Sequence, residues 1–348
     1  MSAHRPVGID QIGRFDAIID ARSPSEFAED HLPGAINCPV LDDEERRIVG
    51  TLYKLQGAFV ARRIGGAMVA ANLSRHLREH FSDKPEKWRP LVYCWRGGMR
   101  SGSMVTWMRL VGWDAQQLQG GYKGFRRHVI EGIEQRAPAL PLRVIAGPTG
   151  SAKSWLLRLL AEEGAQVLDL EGLAAHKGSV LGQMPGVRQP SQKAFETRLW
   201  STLGALDPAR PVFVEAESRR IGKVHLPTPL LERMRASPCV EISAPVAARL
   251  DYLLRDYAYL GDDRALLCAR LRQLKGLHPN ETLQRWQDWA RAGALAELFE
   301  ALMVEHYDPA YARSQGGNYA QVGQAQRHEL ATLDEASLRG LARQLAAG

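Results

Sequence analysis

Residues 142–160 read LRVIAGPTGSAKSWLLRLL, and three kinds of chain follow one another in them. Leu142 to Ala146 is a short, nearly all-apolar run, the pattern of a strand buried on both faces. Gly147 to Ser154 is a loop of small residues, and Trp155 to Glu163 has helical composition. The loop spells glycine, four residues, then a position normally glycine, a lysine and a serine; Ala152 stands where the second glycine belongs. Loops of this pattern hold phosphate because successive backbone N–H groups and a helix N-terminus surround the anion. Gly147, Thr149, Gly150, Ser151, Lys153 and Ser154 are therefore candidate phosphate-binding residues, with Lys153 neutralising charge and the Ser154 hydroxyl available to magnesium. If position 152 needs a positive φ, its Cβ costs roughly 1–2 kcal/mol.

Working downstream, further apolar runs at Gln166 to Leu170, Pro211 to Val214 and Cys239 to Ile242 are separated by helix-length segments, which implies a parallel sheet. The run PVFVEAE places Glu215 and Glu217 at a strand end, where a carboxylate can serve a phosphate site, and Arg219 and Arg220 follow. From about Pro245 the chain reads as amphipathic helix. Upstream, Arg136 to Pro141 carries two prolines and reads as a linker, so the expected domains are 1–135 and 136–348.

The first domain repeats the alternation. FDAII at residues 15–19 and the run Leu91 to Tyr93 read as strands, Gly66 to Arg78 and Ser103 to Leu110 as helices, with Gly112 closing the second helix. Between strand and helix lies YCWRGGMRS, residues 93–101. A thiolate is the reactive form of cysteine, and a loop that converges N–H dipoles and guanidinium groups on sulfur favours it. Cys94 is the candidate nucleophile, with Arg96 and Arg100 as anion-stabilising groups. The Cys-x5-Arg spacing is that of cysteine phosphatases, and a loop of similar size carries persulfide sulfur in rhodaneses; spacing alone leaves both open.

Composition bounds the rest. With 348 residues, 45% hydrophobic and 24% charged, the chain has ordinary globular composition and room for about two domains. No apolar run approaches the roughly 20 residues that span a bilayer, and MSAHRPVGIDQIGRFD lacks the apolar centre of a leader, so a cytoplasmic protein with no membrane partner is expected. Cys38, Cys94, Cys239 and Cys268 have no CxxC spacing, which argues against a zinc site and a disulfide framework. A net charge of +6 suits a polyanion such as RNA.

The segments around the cysteine loop narrow its reading. IDARSPSEF at residues 19–27, HLPGAIN at 31–37 and LQGGY at 118–122 resemble the rhodanese pattern over most of residues 1–130. A rhodanese-like domain followed by GPTGSAKS, with DLEGLA at 169–174, HKGS at 176–179 and EAESRRIG at 215–222, resembles the bacterial tRNA 2-selenouridine synthases. Ala152 departs from the glycine usual in that family. The resemblance implies an α/β chain: an N-terminal rhodanese-like α/β domain, then a P-loop NTPase-like parallel-sheet domain with a helical C-terminal region. It also implies an enzyme that replaces the sulfur of wobble 2-thiouridine by selenium, with selenophosphate and geranyl diphosphate as co-substrates. Cys94 would then act in selenium transfer and the 147–154 loop would bind diphosphate or selenophosphate. Arg62, Arg63, Arg126, Arg127, Arg219 and Arg220 are candidate contacts to the tRNA anticodon arm. The competing readings are a rhodanese-type sulfurtransferase or cysteine phosphatase with an accessory nucleotide-binding domain, and a non-catalytic tRNA-binding regulator.

Overall fold

The computed structural model describes residues 7–318 and 322–347; residues 1–6, part of the N-terminal stretch read above, lie outside it. The chain divides into two compact units, Met1–Gly132 and Ile133–Gly348.

The first unit is built on the strands β1 (Ala17–Asp20), β2 (Ala35–Asn37), β3 (Pro90–Tyr93) and β4 (Gln116–Gln117), all parallel in the order β2-β1-β3-β4. The helices are α1 (Pro24–Glu29), α2 (Asp43–Gln56), α3 (Ala58–Glu79), α4 (Met99–Val111) and α5 (Gly121–Arg136). Every residue of β3 is buried, as its unbroken apolar run requires. Ile19, Val92, Met104 and Met108 pack with Phe81, Trp88 and Trp113 into one core. Asp20 and Tyr93 are register partners, so β1 and β3 end level and the loops after them share one edge of the sheet. Active loops of open parallel sheets gather at this carboxyl edge.

The second unit contains β5 (Leu142–Ala146), β6 (Gln166–Leu168), β7 (Val212–Glu215), a small antiparallel hairpin of β8 (Arg220–Ile221) and β9 (Val224–His225), then β10 (Cys239–Ser243) and β11 (Gln326–Glu329). Apart from the hairpin the strands form a parallel sheet in the order β11-β10-β5-β7-β6. Its helices are α6 (Lys153–Glu162), α7 (Leu170–Ala174), α8 (Gln192–Ala205), α9 (Thr228–Ala236), α10 (Val246–Asp256), α11 (Arg264–Leu271), α12 (Asn280–Ala292), α13 (Leu295–Ala301), α14 (Asp308–Asn318) and α15 (Glu335–Ala347). Leu156, Leu157, Leu159 and Leu160 of α6 are buried, and the same core takes in Leu338, Leu341 and Leu345 of α15.

The α/β expectation holds, and the strand LRVIA is found as read. Three details differ. The strand expected to run to Leu170 stops at Leu168 because the Asp169 side chain accepts the Gly172 N–H and starts α7. The expected linker is packed: α5 continues through Arg136, a short 3-10 turn covers Ala137–Ala139, and Ala137 and Leu140 are buried. The helical C-terminal region also hides a strand, β11, whose sequence QRHE carries no apolar signal. It sits at the sheet edge, where backbone pairing to β10 and the cross-strand Arg327–Glu241 ion pair at 3.0 Å hold it. No helix among the described residues is long and apolar enough to cross a membrane.

Candidate active site

In the first unit Cys94 follows β3 directly, and Gly98 caps the N-terminus of α4. The cysteine is 3% exposed. Its Sγ receives the Gly98 N–H at 3.3 Å and the Ser101 hydroxyl at 3.1 Å. Gln117 in turn donates to the Ser101 Oγ at 2.8 Å and to the Gly98 carbonyl at 3.0 Å, which fixes the donors. Donors held on one sulfur at a helix N-terminus stabilise negative charge there.

The LQGGY segment is the floor of this loop. The Tyr122 and Lys123 N–H groups donate to the carbonyls of Cys94 and Trp95 at 2.8 and 2.9 Å. Gly121 has φ +54, and a Cβ there would meet the Cys94 carbonyl and come within 2.6 Å of the Gly97 nitrogen. Only glycine lets two backbones approach so closely. Beneath it, Arg22 and Asp20 form a buried ion pair at 2.6 Å, and the Arg22 guanidinium lies 3.8 Å from the Tyr122 ring centre. Arg22 also donates to the Asp30 carbonyl at 2.7 Å, while the Tyr122 hydroxyl donates to the Asp30 carboxylate at 2.8 Å. The Asn37 amide donates to the Asp20 and Arg22 carbonyls at 3.1 and 2.9 Å, so the three segments that carry the rhodanese resemblance meet in one network.

Two arginines stand differently from expectation. Arg100 donates to the Glu26 carboxylate at 2.6 Å, so its charge is engaged by a partner 74 residues away. Burial works against ionising Glu26, but the hydrogen bond and charge of Arg100, joined by Arg46, outweigh it and hold the carboxyl below its usual range. Arg126 was read as a surface contact for tRNA. That reading is corrected: its side chain is 11% exposed and lies 3.8 Å from Asp30, within the network under the loop. Arg96, Arg62, Arg63, Arg127, Arg219 and Arg220 are exposed. Cys38, Cys239 and Cys268 are buried free thiols, and burial with the nearby Asp20 charge pushes Cys38 up to about 12.

In the second unit the 147–154 loop links β5 to α6. Ala152 does adopt the left-handed conformation, φ 59 and ψ 29, and is buried. Lys153 folds back over the loop, donating to the Gly147 carbonyl at 2.9 Å and to that of Pro148 at 3.3 Å. Arg249, paired with Asp308 at 2.8 Å, donates to the Thr149 carbonyl at 3.0 Å and pins the loop from α10. Gly150 has φ +84 and packs against Leu253 and the Arg249 backbone.

The loop, Lys177 and three glutamates line a polar cavity of about 240 Å³. Glu215 ends β7 and Glu217 follows it; Glu171 comes from α7 and accepts the Ser154 hydroxyl at 3.1 Å. One oxygen from each carboxylate can be chosen so that all three lie within 4.8 Å of one another. Burial is the largest reason that these groups hold protons unusually well. It carries Glu215 up to about 7, with Lys153 opposing, and Glu217 up to about 8, where the Glu215 charge adds to it. Glu171 is displaced upward by burial and by both neighbours. The sequence reading named Glu215 and Glu217 and missed Glu171, whose only signal was its place just after β6 in DLEG. A small apolar recess of about 20 Å³ adjoins the cavity, lined by Leu181, Phe299, Leu302 and Met303; Thr149, Ser179, Leu253, Tyr257 and Tyr307 line both.

Comparison with known proteins agrees with both loops. Residues 9–128 match the rhodanese-like domain, and residues 140–278 match the tRNA 2-selenouridine synthase AAA domain. A tRNA 2-selenouridine synthase of Alcanivorax borkumensis is 34% identical over 324 residues, covering 84% of this chain and 88% of that protein. The chain belongs to the tRNA 2-selenouridine synthase family. A member from Chromohalobacter salexigens is 34% identical over 329 residues, covering 84% of this chain and 86% of the relative. One from Nitrosomonas europaea is 41% identical over 244 residues, 69% of this chain but 63% of the relative, so that match spans less than two thirds of that family member. Membership accounts for a rhodanese-like unit and a phosphate-loop unit in one chain.

Proposed function

We propose that the chain replaces the thiocarbonyl sulfur of wobble 2-thiouridine in tRNA by selenium from selenophosphate, through an S-geranyl intermediate made from geranyl diphosphate. The observation that carries the reading is a phosphate cradle opening beside an apolar recess, with Thr149, Tyr257 and Tyr307 common to both. A diphosphate ester of a hydrocarbon presents charge to the cradle, and the recess, about 20 Å³ as it stands, is the apolar wall that must open around Phe299, Leu302 and Met303 to take the alkyl chain. Lys153 and the loop N–H groups neutralise the diphosphate as it leaves. The base sulfur bonds to the geranyl C1 while the C–O bond to diphosphate breaks. Alkylated sulfur is a better leaving group, so selenide can add at C2 of the base and expel geranylthiolate.

Selenide must first be released from phosphorus, and this is the step assigned to Cys94. Its thiolate attacks phosphorus: an S–P bond forms, the P–Se bond breaks, and selenide leaves with the electron pair. Water then hydrolyses the phosphocysteine to phosphate and thiol. Selenium in selenophosphate is already at the selenide level, so loading it onto the cysteine as a perselenide would demand an oxidant. The Gly98 N–H and Ser101 hydroxyl hold the attacking sulfur. Exposed Arg62, Arg63, Arg127, Arg219 and Arg220 supply charge for tRNA phosphates, and an anticodon loop lets the wobble base unstack at small cost.

Nucleoside mass spectrometry separates the steps. Cys94→Ser should retain S-geranylation and lose selenation at least about a thousandfold, as removal of an essential nucleophile does. Lys153→Ala should lose geranylation by about a hundredfold or more, yet still selenate tRNA already geranylated. Full selenation by Cys94→Ser, or undiminished geranylation by Lys153→Ala, would sink the respective assignment.

A further inference from the structure

Three carboxylates converge in the phosphate cavity from two different elements, Glu171 on α7 and Glu215 and Glu217 at the end of β7. Oxygens bound to one cation at about 2.1–2.4 Å lie about 3 to 4.8 Å apart, which matches the spread of these donors. Hard oxygen donors of this kind select magnesium or manganese over softer metals. Two buried polar atoms in the cavity have no protein partner. Glu215 is 3% exposed and its Oε1 is unpaired, and the fully buried Ser151 Oγ in the same cavity is unpaired as well. A buried carboxylate oxygen without a partner is costly unless a ligand meets it. Charge points the same way: Lys153 is the loop's single ammonium, and Lys177 is already matched to Asp256 at 2.8 Å. One ammonium therefore faces three carboxyl groups, and Lys153 is itself turned toward the Gly147 and Pro148 carbonyls.

We propose that Glu171, Glu215 and Glu217 form a standing divalent-cation site, with the Ser154 hydroxyl beside it, that takes Mg²⁺ or Mn²⁺ before any diphosphate is present. In an ordinary phosphate loop the cation arrives with the phosphates, which supply most of its ligands. Here protein carboxylates supply them, so the cation waits for the leaving group. The inference builds on the diphosphate reading of the same cavity but does not share its test.

Mn²⁺ is titrated into the full chain at neutral pH without diphosphate and followed by electron paramagnetic resonance. One Mn²⁺ per chain, displaced by Mg²⁺, is expected. Glu171→Gln and Glu217→Gln should each weaken it at least tenfold, and Lys153→Met should keep or tighten it while losing pyrophosphate. Binding of Mn²⁺ to the wild-type chain only in the presence of pyrophosphate would overturn the proposal, as would Mn²⁺ binding unchanged in the Glu171→Gln Glu217→Gln pair. The wild-type titration decides the first point even if a variant fails to fold. Absent Mn²⁺ binding with geranyl diphosphate still bound would remove the cation site alone; the reverse would remove only the diphosphate reading.

Discussion

The two loops are built alike and filled differently. Each follows a buried parallel strand, turns N–H groups inward and opens a helix. The first closes on its own side chain: the Cys94 sulfur takes two donors, and a buried Asp20–Arg22 pair with Asp30 and Tyr122 braces the loop from below. The second leaves its centre open, with a lysine folded onto backbone carbonyls and three carboxylates drawn together. A loop that holds a side chain can be packed to the limit, whereas a loop that holds a ligand must leave polar groups short of partners until the ligand comes. That difference accounts for an orphaned Glu215 oxygen facing the second loop and the tight Gly121 contact under the first.

The largest effect expected on this contrast comes from filling that contact. Gly121→Ala puts a methyl against the Cys94 carbonyl and the Gly97 nitrogen at φ +54. Overpacking costs about 1–3 kcal/mol and the left-handed backbone about 1–2 more, so the first unit should lose about 2–5 kcal/mol in urea unfolding. Gly98→Ala, two positions before Arg100, meets nothing within 4 Å and loses only glycine's N-cap advantage over alanine, so it should cost about 0.5–1 kcal/mol. Equal effects of the two would mean the loop is not braced from below.

The effect of pH falls on the second unit. Glu215 and Glu217 titrate near 7 and 8 in the folded chain against 4.5 when unperturbed. Between those values the native state binds more protons than the unfolded one, so stability falls as pH rises. The metal-free chain should therefore lose thermal stability from about pH 5 to pH 8. Glu215→Gln should flatten the profile. A melting temperature rising over that range would contradict the open, acidic character of this loop.

The smallest effect concerns Ala152. Replacing it by glycine relieves about 1–2 kcal/mol of left-handed strain, but loses a buried methyl worth about 0.8 kcal/mol and adds about 0.4–1 kcal/mol of unfolded-chain entropy. These nearly cancel. Ala152→Gly should change stability by less than about 1 kcal/mol and pyrophosphate affinity by less than about threefold, read by unfolding and calorimetry. A large gain in affinity would show that the alanine distorts the loop. The same arithmetic explains why the chain can carry alanine where the pattern asks for glycine.

How much of this was legible beforehand follows the range of the interactions. LRVIAGPTGSAKS and YCWRGGMRS announce themselves because strand, loop and helix start lie within about a dozen consecutive residues, and local sequence dictates local conformation. The edge strand QRHE is invisible in the sequence because it has no apolar alternation and is held to β10 by backbone pairing and the Arg327–Glu241 ion pair at 3.0 Å, and the packed turn at Ala137–Ala139 reads as a linker because prolines mark both.

The sequence by itself determined two α/β units, a thiol loop and a phosphate loop, and the order that ties them to one family. Tertiary structure decided what faces each loop. Glu26 captures Arg100 across 74 residues, Asp30 draws in Arg126, Gly121 slides under Cys94, and Glu171 crosses 44 residues of chain to join Glu215. No periodicity or spacing encodes these meetings, because they are fixed by how parallel strands order themselves in a sheet and bring distant loops to one edge.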